Sequence, residues 1–236
     1  MAKTERGGGF MAEIILKTVN VCRDFKTAGE TVHAVKNVNI EIEKGTLTIL
    51  RGRSGSGKTT LLNQLSALDM PTSGSVFFHG TDLTKVSEAK RDDYRRTKSG
   101  FAFQSLALLS FLTAYENIEF ALRVAGYPAK KRRERAQECL TMVDLKKRMN
   151  HRPGEMSGGE QQRVAIARAF SHYPELLFAD EPTAALDIHT GLVVVDLIKS
   201  LVKEHGITVV MTTHDMGLLS IADKVYTLQD GEIIEE

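Results

Sequence analysis

Residues 14–21 and 38–42 alternate or cluster β-branched side chains, and 46–50 is a short apolar run that stops at a glycine-rich stretch. Such runs read as strands, because branched side chains suit a pleated, half-buried surface. From 59 to 68 the apolar positions recur at helical intervals instead. After the turn residues Pro71, Ser73 and Gly74, the pattern predicts a strand over 75–78, a charged helix over 87–97 and a short strand over 100–104. Strand signal then disappears, and 105–153 carries helical patterning alone, as an inserted helical lobe (about 105–156) would. A helix over 157–170 returns the chain to the body. It is followed by a continuous apolar run at 176–179, as expected of a buried parallel strand. A helix over 190–202, a strand over 207–212, a helix over 216–222 and two closing strands complete the pattern. Strands alternating with helices predict an α/β domain with a mostly parallel sheet covered on both faces.

Composition agrees with one such domain over 14–236: of 236 residues, 42% are hydrophobic and 26% charged, enough for a packed core. A formal net charge of +1 gives no long-range attraction to nucleic acid or to an acidic membrane surface. The basic runs at 130–135 and 146–148 lie in helically spaced stretches and read as solvated faces. Cys22 and Cys139 are too few for a disulfide framework, so a reducing compartment is the simplest account. No apolar run approaches the roughly twenty residues of a membrane-spanning helix. Residues 1–13, with three consecutive glycines at 7–9, read as a mobile leader, with the natural start near Met11.

Candidate chemistry begins at Gly52-Arg53-Ser54-Gly55-Ser56-Gly57-Lys58-Thr59, followed by Thr60. Glycines at the first and sixth positions let successive backbone N–H groups turn inward around anionic oxygens, and the helix that follows adds its positive end. Strand, glycine-rich loop and helix in that order are the context a phosphate loop requires. Lys58 is placed to reach the β- and γ-phosphates of a nucleoside triphosphate, and Thr59 to offer its hydroxyl to Mg²⁺. The run Leu176-Leu177-Phe178-Ala179-Asp180-Glu181 is an apolar strand ending in two acids, at the edge where open parallel sheets bind ligands. Asp180 would hold Mg²⁺, and Glu181 would polarise the water that attacks the γ-phosphate. An acidic strand end that caps the next element is the plain alternative.

Ser157-Gly158-Gly159-Glu160-Gln161, continuing into Gln162-Arg163-Val164-Ala165-Ile166-Ala167-Arg168-Ala169, closely resembles the signature motif of ABC transporter ATPases. A hydroxyl and two glycines opening a helix leave N–H groups and the helix dipole facing a phosphate. The resemblance implies a P-loop NTPase (RecA-like) core with an inserted α-helical lobe and an N-terminal antiparallel β region. It also implies that Ser157, Gly158 and Gly159 contact ATP held on the phosphate loop of a second copy, most simply in a homodimer. Gln104 resembles the glutamine that senses Mg²⁺ and the attacking water. Asp187, in Ala185-Leu186-Asp187, resembles the loop that crosses the dimer interface, and His214 the switch histidine that contacts the γ-phosphate and helps position Glu181. Phe25, the one aromatic residue between Phe10 and the phosphate loop, would stack on adenine. Met156 and Glu160 depart from the commonest signature, and Arg53 stands where a small residue or proline is more usual; no physical reason for Arg53 is visible.

Two further stretches, Leu68-Asp69-Met70-Pro71-Thr72-Ser73-Gly74 and Leu112-Thr113-Ala114-Tyr115-Glu116-Asn117-Ile118, resemble the lipoprotein-releasing and macrolide-export subgroup. The resemblance then implies ATP hydrolysis at the cytoplasmic face of the cell membrane, coupled to a transmembrane permease, with export or mechanical transmission rather than uptake. The Leu- and Phe-rich stretch 105–112 is either a docking surface for that permease or part of the lobe's own core. Non-transport ABC ATPases carry a long coiled coil or two fused cassettes, and neither is present. A P-loop GTPase lacks the Ser157–Gln161 stretch and would need an Asn-Lys-x-Asp element that this chain does not have.

Overall fold

The computed structural model describes residues 13–27 and 29–235. Its first strand, β1 (Ile14–Lys26), is far longer than the 14–21 stretch that the pattern marks. It can be that long because different segments pair with different partners. Its C-terminal half pairs antiparallel with β2 (Thr31–Val38), and its N-terminal end with β3 (Glu41–Glu43). The strand expected at 38–42 is therefore a break between two strands. Asn37 adopts a φ of +47°, and Thr18 fills the gap in the ladder: its hydroxyl donates to Val38 O at 3.0 Å and accepts from Ile40 N at 2.9 Å.

β4 (Leu47–Arg51) enters the second sheet and leads through the phosphate loop into α1 (Lys58–Leu65). The helix stops three residues short of the expected 68, where Ala67 takes a left-handed φ of +57° and Leu68 N returns to Asn63 O at 2.9 Å. β5 (Ser73–Phe78) pairs antiparallel with the other side of β1, and β6 (Thr81–Asp82) extends that edge. α2 (Glu88–Thr97) precedes β7 (Ser99–Ala102). The helical stretch then comprises α3 (Ala114–Val124), α4 (Ala129–Met142), two short 3₁₀ turns and α5 (Gly158–Phe170). β8 (Leu176–Asp180), α6 (Ile188–His205) and β9 (Thr208–Thr213) follow. The helix expected at 216–222 is a 3₁₀ segment, Met216–Ile221, before β10 (Lys224–Gln229) and β11 (Glu232–Glu235).

Two sheets result: an antiparallel one built around β1, and a second of order β11-β10-β4-β9-β8-β7, parallel apart from its β11 edge. Alternation along the central strands explains why their sequences are apolar throughout. Leu47, Ile49, Leu177, Val209 and Met211 face the core shared with α5, α6 and the lobe. Leu50, Phe178 and Val210 face Leu61 and Leu65 of α1 and the antiparallel sheet. Both faces are thus removed from water, each fully buried Leu, Ile, Val or Phe contributing about 1.5–3 kcal/mol. The carboxyl ends of β4, β8 and β9 come out side by side in register, Arg51 beside Thr213 and Asp180 beside Thr212.

Of the two basic runs, 146–148 is exposed, but 130–135 is not wholly a solvated face. Arg135 is 4% exposed, donating Nε to Ser171 O at 2.7 Å with its guanidinium 3.7 Å from the Tyr173 ring centroid. The stretch read as a leader lies outside the described residues apart from Glu13, whose carboxylate pairs with Lys44 at 3.0 Å. Among the described residues no helix is long and apolar enough to cross a membrane.

Candidate active site

The loop from Gly52 to Gly57 wraps the N-terminus of α1, a helix with no side-chain cap and no acid in its first turn. Its first N–H groups therefore point outward without an intrahelical partner, the arrangement that attracts an anion. Gly57 is fixed by geometry: at φ +102°, a Cβ there would overlap Ala34 O on β2. The Lys58 side chain is 5% exposed and curls back over the loop, its ammonium donating to Gly52 O at 2.9 Å and Arg53 O at 3.1 Å. Arg53 thus contributes a carbonyl to the loop while its side chain stays exposed.

Thr59 comes off the first turn of α1 toward the end of β8, its hydroxyl 3.0 Å from Asp180 Oδ2 and 3.1 Å from Oδ1. Thr212, a residue that pattern reading passes over, donates its hydroxyl to Asp180 Oδ1 at 2.6 Å and accepts from Glu181 N at 2.9 Å. One buried hydroxyl thereby fixes a carboxylate and the start of the next turn. Glu181 takes a φ of +46°, which swings its side chain off the strand line. Its carboxylate lies 3.7 Å from Lys58 Nζ and 3.3 Å from His214 Nδ1. Lys58, Thr59, Thr60, Gln104, Glu181 and His214 all line one open cleft of about 850 Å³, together with Val32 and His33 of β2.

Phe25 is not among the residues lining that cleft. It sits on β1 opposite Val32, 39% exposed, with the Arg23 guanidinium 4.6 Å from its ring centroid; Arg23 is itself held by Asp69 through two hydrogen bonds of 2.8 Å. Ser157, Gly158 and Gly159 are also absent from the cleft lining. Ser157 caps α5, accepting from Glu160 N at 3.3 Å, while Glu160 accepts from Ser157 N at 2.8 Å. That backbone N–H, together with Arg148 nearby, holds the Glu160 carboxyl below the usual glutamate range. Ser157 and Gly158 are exposed, whereas Gly159 packs against Thr190, whose hydroxyl donates to Asp187 at 2.6 Å. Asp187 caps α6, and the Thr190 hydroxyl and N–H hold its carboxyl below the usual range. The tip of α5 and the loop before α6 therefore form one packed unit facing solvent.

These groups suit a nucleoside triphosphate. The phosphate loop offers N–H donors and an ammonium, and backbone packed against Gly52 and Gly57 leaves no room for a side chain at either position. Thr59 and Asp180 could hold a divalent cation. Among the described residues no three of His, Cys, Asp and Glu converge as a metal cage. A hydroxyl plus one carboxylate suits magnesium, which retains waters and takes phosphate oxygens as its other ligands.

Comparison with known proteins identifies the family. A family model described as ABC transporter matches residues 35–184, which include the phosphate loop, the signature stretch and the acidic strand end. An uncharacterised ABC transporter ATP-binding protein of Methanocaldococcus jannaschii, MJ1508, is 43% identical over 94% of this chain and 98% of its own length. The macrolide export ATP-binding/permease protein MacB of Vibrio parahaemolyticus is 40% identical over 96% of this chain, which spans 34% of that larger protein. Another M. jannaschii cassette, MJ0796, solved as a dimer in a post-hydrolysis state with ADP and Pi, superposes with a TM-score of 0.87 at 40% identity, covering 94% of this chain and 97% of that one. The chain therefore belongs to the ABC transporter ATP-binding family, as an ATPase cassette of the subgroup that includes the MJ0796 and MacB cassettes.

Proposed function

We propose that two copies of this chain close on two molecules of ATP, and that hydrolysis reopens them to drive a transmembrane permease from the cytoplasmic face of the membrane. One observation carries the reading. The phosphate loop, Glu181, Gln104 and His214 share one cleft, with Asp180 just behind it on the Thr59 hydroxyl, while the Ser157 tip stands outside with exposed hydrogen-bonding groups. A second copy supplies the surface that would complete both. The dimeric MJ0796 cassette with ADP and Pi supports the same arrangement.

In this reading Lys58 leaves its two loop carbonyls to bind the β- and γ-phosphates, while the α1 N-terminus receives the phosphate oxygens. Thr59, Asp180 and Gln104 would hold Mg²⁺, which when bound neutralises charge between the β- and γ-phosphates. Glu181 takes the proton of the attacking water, and His214, 3.3 Å from its carboxylate, keeps that carboxylate aimed. Ser157, Gly158 and Gly159 reach the γ-phosphate of the partner copy, and Asp187 lies at the seam. Phe25, paired on β1 with Val32 of the cleft lining, would provide the adenine platform.

The permease would enter a second groove of about 320 Å³ between the lobe and the body, where Phe101, Phe103, Leu109, Phe120 and Val124 present an apolar lining. Ala107 and Leu109 bring part of the 105–112 stretch into it. Such a lining fits one amphipathic helix of a membrane subunit.

Glu181→Gln tests the reading. With ATP and Mg²⁺ it should elute as a dimer on size-exclusion chromatography while turnover falls about a hundredfold or more. A Glu181→Gln chain that remains monomeric at saturating ATP refutes the two-copy site.

A further inference from the structure

Between Gln104 and α3 the chain has no regular structure, yet it is held by side chains at two places. Asn117, 1% exposed, accepts from Leu109 N at 2.8 Å and donates to the carbonyls of Leu109, Leu112 and Thr113. Nearer Gln104, Arg168 in the last turn of α5 donates Nη2 to Leu106 O at 2.9 Å and Nη1 to Ala107 O. Leu106 and Ala107 have φ of +62° and +48°, conformations that residues with a Cβ adopt reluctantly. Backbone of this kind persists where its surroundings over-determine it. The planar fork of one guanidinium, bridging two consecutive carbonyls, supplies that constraint.

The opposite end of α5 begins at Ser157. The helix between is a rigid connector: Val164, Ala165, Ile166 and Ala167 are all fully buried, and a Cβ on Gly100 of β7 would overlap Ala169 O. Arg168 also borders the apolar groove between lobe and body. Three functional surfaces thus meet on one helix.

We propose that Arg168 is a positioning residue that ties the Gln104 loop to α5, so that nucleotide engagement at Ser157 and presentation of Gln104 to this copy's own cleft move together. The proposal rests on the two-copy reading above and deepens it. It assigns the route by which one site of the pair reports its occupancy to the other.

Arg168→Met keeps side-chain length and removes the fork, whereas Arg168→Lys keeps the charge but can satisfy the two carbonyls only poorly. Both are compared with the native chain for melting temperature, affinity for a fluorescent ATP derivative, and turnover as Mg²⁺ is titrated. For Arg168→Met we expect nucleotide affinity within about twofold of native, kcat about tenfold lower, and the Mg²⁺ concentration for half-maximal turnover raised about fivefold. Arg168→Lys should fall between the two. Turnover and Mg²⁺ dependence within about twofold of native in a folded Arg168→Met chain overturn the proposal, as does a parallel loss of melting temperature and affinity with no Mg²⁺ shift. If Arg168→Met does not fold, Arg168→Lys decides: a native Mg²⁺ dependence in that variant overturns the proposal equally. Dimerisation of the Glu181→Gln parent is measured alongside. Its failure refutes the two-copy reading, whereas the Mg²⁺ titration reports on the hold of Arg168 over Gln104 within a single chain.

Discussion

Substituting Gly159 by alanine probes how the α5 tip is joined to the loop before α6. The added Cβ would overlap Cγ2 of Thr190 and approach its Cβ to 3.4 Å. Thr190 cannot rotate away freely, because its hydroxyl donates to Asp187 at 2.6 Å. Overpacking of this size costs about 1–3 kcal/mol, and the better helix propensity of alanine returns at most about 1 kcal/mol. A net loss of about 1–2 kcal/mol is expected, equivalent to a fall of roughly 0.5 M in the urea midpoint with unchanged slope. Thr190→Ser deletes the obstructing methyl and keeps the hydroxyl on Asp187, at a cost of about 0.5–1 kcal/mol by itself. In the double variant the alanine methyl occupies the space just vacated, so the two losses should not add; the expected coupling is about 1–2 kcal/mol. Urea denaturation of the four nucleotide-free proteins measures it. Additivity within about 0.5 kcal/mol would show that Thr190 is not what excludes a side chain at position 159.

The α5 cap makes a pH-dependent prediction. The folded-state pKa of Glu160 lies below its unfolded value, so its contribution is present above the ordinary glutamate range and is lost as pH falls through the folded value. Glu160→Gln should therefore cost about 1 kcal/mol at neutral pH and progressively less below about pH 4, and a difference that stays constant down to pH 3 refutes the linkage. For Lys58→Ala, calorimetric titration should show ATP affinity weakened at least about tenfold, since an ammonium aimed at phosphate is replaced by water. Unchanged affinity would remove Lys58 from the phosphate site.

Local chemistry made much of this architecture readable from the chain. Gly57, Lys58 and Thr59 announce a phosphate loop because the loop's geometry depends on those residues and little else. The apolar run at 176–179 betrays a strand with both faces covered. What escaped was decided by distant partners. The break at 38–42 exists because β1 changes partner there and Thr18 inserts its hydroxyl, neither of which leaves a trace in local pattern. Arg135 looks like one more charge in a basic run, yet Ser171 and Tyr173, more than thirty positions on, bury it. The contacts of Thr212 and Arg168 escape for the same reason: each side chain acts on backbone or carboxylate far away in sequence. A hydroxyl at the end of an apolar strand is the only hint of the first, and Arg168 stands in the signature stretch without any sign that it reaches Leu106 and Ala107.

The cap on α5 has a consequence for recognition. Within the cap the Ser157 oxygen accepts from Glu160 N, while its hydroxyl helps hold the Glu160 carboxylate. An incoming anion would draw that hydroxyl proton away from the Glu160 carboxylate, while the bond from Glu160 N to the Ser157 oxygen can hold the first turn wound. Ligand capture would then move one proton between two acceptors and leave the helix start intact, so docking need not be purchased by local melting.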